Sequence, residues 1–133
     1  MEKAFVITGT VVHGKALGRT VGMPTANVLP DDMGAVPEEG VYATIVEFDK
    51  RRMLAVTNIG LRPTVDDSPV WTVEAYIIGF SGDLYGKKLT LTVIGKIRPI
   101  LRFSSLEMVK KQVEQDCISA QNMLNRYTTS GRT

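Results

Sequence analysis

Up to Arg98 the chain alternates short apolar runs with polar or glycine-containing breaks. Runs rich in β-branched and aromatic residues predict strands over Phe5–Val12, Val41–Phe48, Met53–Gly60, Trp71–Phe80 and Lys88–Arg98. In the last of these, Leu89, Leu91 and Val93 alternate with Thr90 and Thr92, which gives one buried and one wetter face. The polar "DKRR" (Asp49–Arg52) reads as a hairpin turn, and "SGDLYG" joins the last two runs. Beyond Arg98 the period changes. Leu106, Val109, Val113, Ala120 and Leu124 fall at helical spacing with Ile118 flanking, which predicts an amphipathic helix over Ser105–Asn125. Ser104 and Glu107 form an S-x-x-E capping-box pattern at its start. Residues 127–133 read as a frayed tail. Short strands separated by turns, with no regular alternation of strand and helix, point to an antiparallel sheet closed into a barrel rather than a parallel doubly wound sheet.

Composition narrows this only a little. A chain of 133 residues with no interdomain linker fits a single domain spanning 1–133, with its core over about 5–126. A net charge of +2 does not call for a nucleic-acid partner and is compatible with an anionic substrate. Cys117 stands alone, so no internal disulfide forms, and a reducing cytoplasm is the simplest setting. The N-terminal stretch lacks a signal peptide's long apolar run, and no segment approaches the ~20 apolar residues of a membrane span. The expectation is a cytoplasmic protein, monomeric and with no membrane or nucleic-acid partner.

Candidate chemistry is spread along the chain. "HGKALGRTVGMPTAN" (His13–Asn27) carries Gly14, Gly18 and Gly22 with Lys15 and Arg19 between them. Glycines allow a backbone to approach phosphates, and the two cations suit an anion. The same glycines serve equally as turns, and neither usual nucleotide fingerprint is present. In "PTAN", Pro24 stiffens the chain, while Thr25 and Asn27 offer a hydroxyl and a carbonyl oxygen. Both are hard ligands that Mg²⁺ accepts beside water and phosphate, and in extended backbone both point to one side. A side-chain cap of a loop is the alternative. Glu74 is an acid in the middle of an apolar strand, either a general base for a hydroxyl or a group on a solvated face. Asn58, in "NIGLRPT", binds a ligand or caps a tight Gly/Pro turn. Tyr85, in "DLYGK", stacks on a base or covers a barrel end. Arg98, Arg102 and Phe103, in "RPILRF", clasp a flat aromatic ligand or simply enter the helix. One histidine and one cysteine do not make a structural zinc site, and no catalytic triad assembles.

Taken in order, "GTVVHGKALGRTVGMPTAN", "GVYA", "NIGLRPT", "VEAYI", "FSGDLYGK" and the "SLE" helix start resemble the riboflavin kinase (flavokinase) family, in particular the kinase domain at the C-terminus of bacterial bifunctional FAD synthetases. The resemblance runs from about Phe5 to Leu124. It implies a six-stranded antiparallel Greek-key β-barrel with a C-terminal amphipathic helix. It also implies transfer of the ATP γ-phosphoryl group to the 5′-hydroxyl of riboflavin, giving FMN and ADP. Carried onto this chain, it makes Glu74 the general base and Thr25 and Asn27 the holders of Mg²⁺ and the ATP phosphates. Gly14–Gly22, with Lys15 and Arg19, becomes a flap over the nucleotide. Pro24, Asn58 and Tyr85 lie by the nucleotide, and Arg98, Arg102 and Phe103 border the flavin.

The chain departs from that pattern in two places. The family often has R-P-E or R-D-E where this sequence reads Arg98-Pro99-Ile100, which places an apolar residue at the acidic position. The adenylyltransferase motif of the bifunctional proteins has no counterpart here, so FAD synthesis is not expected of this chain. The alternative to a kinase is a non-catalytic flavin-binding regulatory module on the same barrel. A nucleic-acid-binding barrel would need aromatics interleaved with a basic stripe, and few aromatics are suitably placed.

Overall fold

The structure is a computed structural model and describes residues 5–13, 25–32, 34, 36–63 and 69–130. Six strands, β1 (Val6–Val12), β2 (Ala26–Pro30), β3 (Gly40–Phe48), β4 (Arg51–Pro63), β5 (Pro69–Ile77) and β6 (Lys88–Arg98), are followed by one helix, α1 (Leu106–Ser130). They close into a barrel in the order β1-β2-β5-β4-β3-β6, with every neighbouring pair antiparallel. β3, β4 and β5 form a meander and β6 returns beside β3, which is the Greek-key arrangement expected above.

Alternation sorts the side chains onto two surfaces. Ile7, Val11, Val28, Tyr42, Val46, Ala55, Ile59, Val73, Ala75, Leu89 and Leu91 fill the barrel. Ile7, Ile59, Leu89, Leu91, Val46 and Val73 are almost wholly excluded from water, and each such side chain contributes roughly 1.5–3 kcal/mol of transfer free energy. The remaining positions point outward. On β3, β4 and β6 they meet α1, where Val41, Ala43, Val56 and Ala120 form a second core with Leu54, Ile94, Ile97, Cys117 and Met123. The barrel wall therefore has a helix-covered side and an open side. The closure is tight at Gly9 on β1, where a Cβ would lie 2.2 Å from the Leu29 carbonyl oxygen of β2.

The elements depart from the sequence pattern in several places. β2 carried no strand signal of its own, being five residues long and ending in proline. The hairpin turn is Asp49–Lys50 alone, both with positive φ (49° and 64°), and Arg51 and Arg52 already belong to β4. β4 also runs on through Asn58–Pro63, so "NIGLRP" is paired strand rather than a tight turn. β5 stops at Ile77, where Ile78 and Gly79 turn.

The helix start differs too. Ser105, the residue just outside α1, accepts a hydrogen bond from the Met108 N–H at 3.2 Å, while Ser104 lies one residue too early for the expected box. At its other end α1 continues through Tyr127–Ser130, which had read as frayed tail. Its buried face also differs from the apolar stripe. Leu106 and Ile118 are exposed, whereas Asp116 is 1% exposed. Among the described residues no helix is long and apolar enough to cross a membrane.

Candidate active site

On β5, Val73, Ala75 and Ile77 point into the barrel, so Thr72, Glu74 and Tyr76 point out on the open side. Glu74 is directly opposite Asn27 of β2 on one flank and Asn58 of β4 on the other. Directly opposed residues project from the same face, with Cβ atoms about 4.5–5.5 Å apart. One carboxylate thus stands between two amides on the outer wall, all three within side-chain reach. The row continues from Asn27 to Val12 of β1, and from Asn58 to Val41 of β3 and Arg98 of β6. Glu74 and Asn27 are half-buried and Asn58 is exposed.

The row lies between two differently built ends. Thr25, two residues before Asn27, borders a cleft of about 70 Å³ at one barrel mouth, together with Phe80, Ser81, Gly82 and Leu84 of the β5–β6 connection. At that mouth the Tyr85 ring stacks on the His13 ring, with centroids 3.8 Å apart and planes 11° from parallel. Tyr85 is 55% exposed, so a flat aromatic surface faces solvent. Its loop is held by the Asp83 carboxylate, which accepts from the Tyr85 N–H at 2.9 Å. Sequence reasoning singled out Tyr85 but not His13 as its partner. The signal was weak, since the two are distant in sequence and meet only because β1 ends beside the β5–β6 connection.

The other end is apolar. Gly60, two residues beyond Asn58 on β4, leaves room for Ile100, whose Cδ1 lies 3.7 Å from where a Gly60 Cβ would be. Thr72 donates a long hydrogen bond to the Gly60 carbonyl at 3.4 Å. Ile100 and Leu101 are exposed here, as is Leu61.

Arg98 is engaged within the protein. Its Nε and Nη2 donate to both carboxylate oxygens of Asp116 at 2.9 and 2.8 Å, and its Nη1 donates to the Pro99 carbonyl at 3.1 Å. The guanidinium lies 5.8 Å from the Phe103 ring centroid. Gln112 donates to the same carboxylate at 3.0 Å. Asp116 is a further residue that sequence reasoning passed over, because an acid at a buried helix position looks like a break in an apolar stripe. Arg102 is exposed on the same segment. Gly14, Lys15, Gly18, Arg19, Gly22 and Pro24 lie outside the described residues.

Fold and wall together describe a small closed β-barrel domain with a polar row, Asn27–Glu74–Asn58, on its outer wall. Comparison with known proteins makes the class specific. The flavokinase family model, described as riboflavin kinase, matches residues 1–124. The RNA-binding riboflavin kinase RibR of Bacillus subtilis is 41% identical over 84% of this chain and 47% of its own length. The bifunctional riboflavin kinase/FMN adenylyltransferase of Pseudomonas fluorescens is 40% identical over 90% of this chain and 38% of its own. Among solved structures, a macrolide-efflux protein from Streptococcus pneumoniae superposes with a TM-score of 0.83 at 32% identity, covering 90% of this chain and 39% of that one. Riboflavin kinase from Trypanosoma brucei superposes with a TM-score of 0.66 at 25% identity, covering 93% and 82%. The chain belongs to the riboflavin kinase family. It spans less than half the length of these curated relatives.

Proposed function

We propose that this domain is a riboflavin kinase, transferring the γ-phosphoryl group of ATP to the riboflavin 5′-hydroxyl to give FMN and ADP. The observation that carries the reading is the position of Glu74, one carboxylate between Asn27 and Asn58, with a cleft bordered by the hydroxyl residues Thr25 and Ser81 toward one end and the exposed apolar Ile100 toward the other. That order suits a reaction joining a triphosphate to the side chain of a flat flavin. Phosphoryl transfer needs positioning and charge neutralisation more than covalent chemistry. A primary alcohol is a poor nucleophile, and Glu74 accepts its proton as the oxygen–phosphorus bond forms. The bond from the γ-phosphorus to the β–γ bridging oxygen breaks, and ADP leaves with that electron pair.

The family works with ATP and a divalent metal, and the donors here suit Mg²⁺. Thr25 offers a hydroxyl, Asn27 a carbonyl oxygen, and Glu74 is opposite Asn27. Among the described residues no group of three or more His, Cys, Asp or Glu gathers to cage an ion. Few protein oxygens with room for water and phosphate is the usual manner of holding Mg²⁺. When bound, the ion would neutralise the triphosphate; Thr25 and Asn27 would hold it. The Tyr85–His13 plane lies beside this end and suits a stacked purine. Asn58 flanks the base on the side toward Gly60, so its amide serves to orient Glu74 or the reacting hydroxyl. Gly14–Gly22, with Lys15 and Arg19, are the residues the family resemblance assigns to the nucleotide, and they lie outside the described residues.

The test is FMN formation from riboflavin, ATP and Mg²⁺, followed by chromatography, with Glu74→Gln measured alongside. The expected result is FMN from the native protein and a turnover lower by roughly 10²–10⁴-fold in the variant, with flavin binding retained. Native turnover in Glu74→Gln would remove Glu74 as the base. Flavin binding without any ATP-dependent product would leave a binding module, and Ile100 at the family's frequent acidic position makes that the reading to exclude.

A further inference from the structure

Asp116 is the most buried ionisable group described, and it lies on the helix rather than on the strands that carry Asn27, Glu74 and Asn58. Its partner Arg98 is the last residue of β6, so the pair joins the middle of α1 to the point where the chain leaves the barrel. The guanidinium does more than neutralise the acid. Two of its nitrogens bind Asp116 bidentately, a third donates to the Pro99 carbonyl, and its central carbon lies over the Phe103 ring. Gln112 holds one carboxylate oxygen from the preceding turn. A planar fork fixed at two points has its remaining donor and its faces fixed as well. The segment Pro99–Phe103 is thereby fastened at both ends, and Ile100 within it is placed over Gly60 at the apolar end of the row.

We infer that the Asp116–Arg98 pair is a latch that positions the Pro99–Phe103 segment, and with it the flavin side of the site, from beneath. Arg98 acts through the segment rather than by touching the flavin, and Asp116 is a positioning residue. The inference rests on the reading of this end as the flavin subsite. Flavin affinity then depends on a carboxylate in the helix, while the phosphoryl-transfer row does not.

The experiment is riboflavin binding by flavin fluorescence, together with FMN formation as a function of riboflavin, on the native chain and on Asp116→Asn. The amide keeps the shape and one acceptor oxygen but loses the charge and the bidentate grip. Riboflavin Kd and KM are expected to rise about tenfold, the usual scale of a lost charge-assisted hydrogen bond, while kcat at saturating riboflavin falls less than about threefold. Unchanged riboflavin affinity in folded Asp116→Asn overturns the latch. So does tighter binding, which is the result expected if a released Arg98 reached the flavin directly, and so does a loss confined to kcat. If Asp116→Asn does not fold, Arg98→Lys keeps the ion pair as a point charge but loses the planar fork. It is expected to weaken riboflavin binding, and native affinity in that variant overturns the latch equally. Native protein that binds riboflavin without producing FMN refutes the kinase reading and leaves the binding test of the latch intact.

Discussion

Inside the barrel, the hydroxyls of Thr44 and Thr57 are 2.7 Å apart and both residues are 0% exposed. Replacing Thr44 by Val exchanges a hydroxyl for a methyl of nearly the same volume, so the cavity term is negligible. What changes is the hydrogen bond. Thr57 is left with a dry hydroxyl, and an orphaned buried polar group costs about 1–3 kcal/mol. Thr57→Val has the same cost for the mirrored reason. The double substitution removes both polar groups and buries two extra methyls, each worth up to roughly 0.8 kcal/mol. It is therefore expected to lie within about 1 kcal/mol of the native protein, or above it. For a double variant near native stability the two single costs sum to a coupling energy of about 2–6 kcal/mol, at or beyond the upper end of what contacting pairs show. Urea unfolding of the four proteins measures it, provided the m-values agree, so that midpoints report stability. An additive cycle, with coupling under about 0.5 kcal/mol, refutes the reasoning. It would mean that each hydroxyl is satisfied without the other.

Two further predictions concern the surface. Lys50 holds φ at +64° in the two-residue β3–β4 turn, a conformation that costs an L-residue about 1 kcal/mol or more, so Lys50→Gly is expected to raise the urea midpoint with m unchanged, and a lower midpoint contradicts this. At the start of β3, Tyr42 donates to the Glu38 carbonyl at 2.6 Å and Lys96 donates to the Glu38 carboxylate at 2.9 Å. Burial pushes the Tyr42 pKa above 10.0, with the nearby Lys96 charge opposing and Glu38 assisting, and the Glu38 hydrogen bond raises Lys96 above 10.5. The folded state therefore holds more protons than the unfolded chain above those ordinary values. Stability from both groups is fully present below pH ~10 and is lost as pH rises through the folded pKa values. Urea midpoints measured from about pH 8 to 11 should be level at first and then fall, with a smaller fall in Lys96→Gln; a rising midpoint reverses the sign and refutes it.

Much of the scaffold was legible. Five strands and the helix follow from runs of β-branched and aromatic residues, from alternation in the last strand and from helical spacing, because these are local properties of the chain. β2 was not, because five residues ending in proline carry too little pattern to separate strand from loop. Glu74 was visible as an acid in an apolar strand, and Thr25, Asn27, Asn58 and Tyr85 as polar or aromatic residues in motifs. The helix misled at Asp116. A buried acid is tolerable only beside its partner, and Arg98 is supplied by a different element.

The sequence by itself determined which residues could be strand or helix, which face of the last strand is apolar, and which side chains are candidates for the chemistry. Only the tertiary structure decided that Asn27, Glu74 and Asn58 share one row, that His13 lies under Tyr85, and that Arg98 serves Asp116. The reason is physical. Alternation is written along one strand, but register between strands is set by closure of the whole barrel, and a shift of one residue would turn Glu74 to the opposite face.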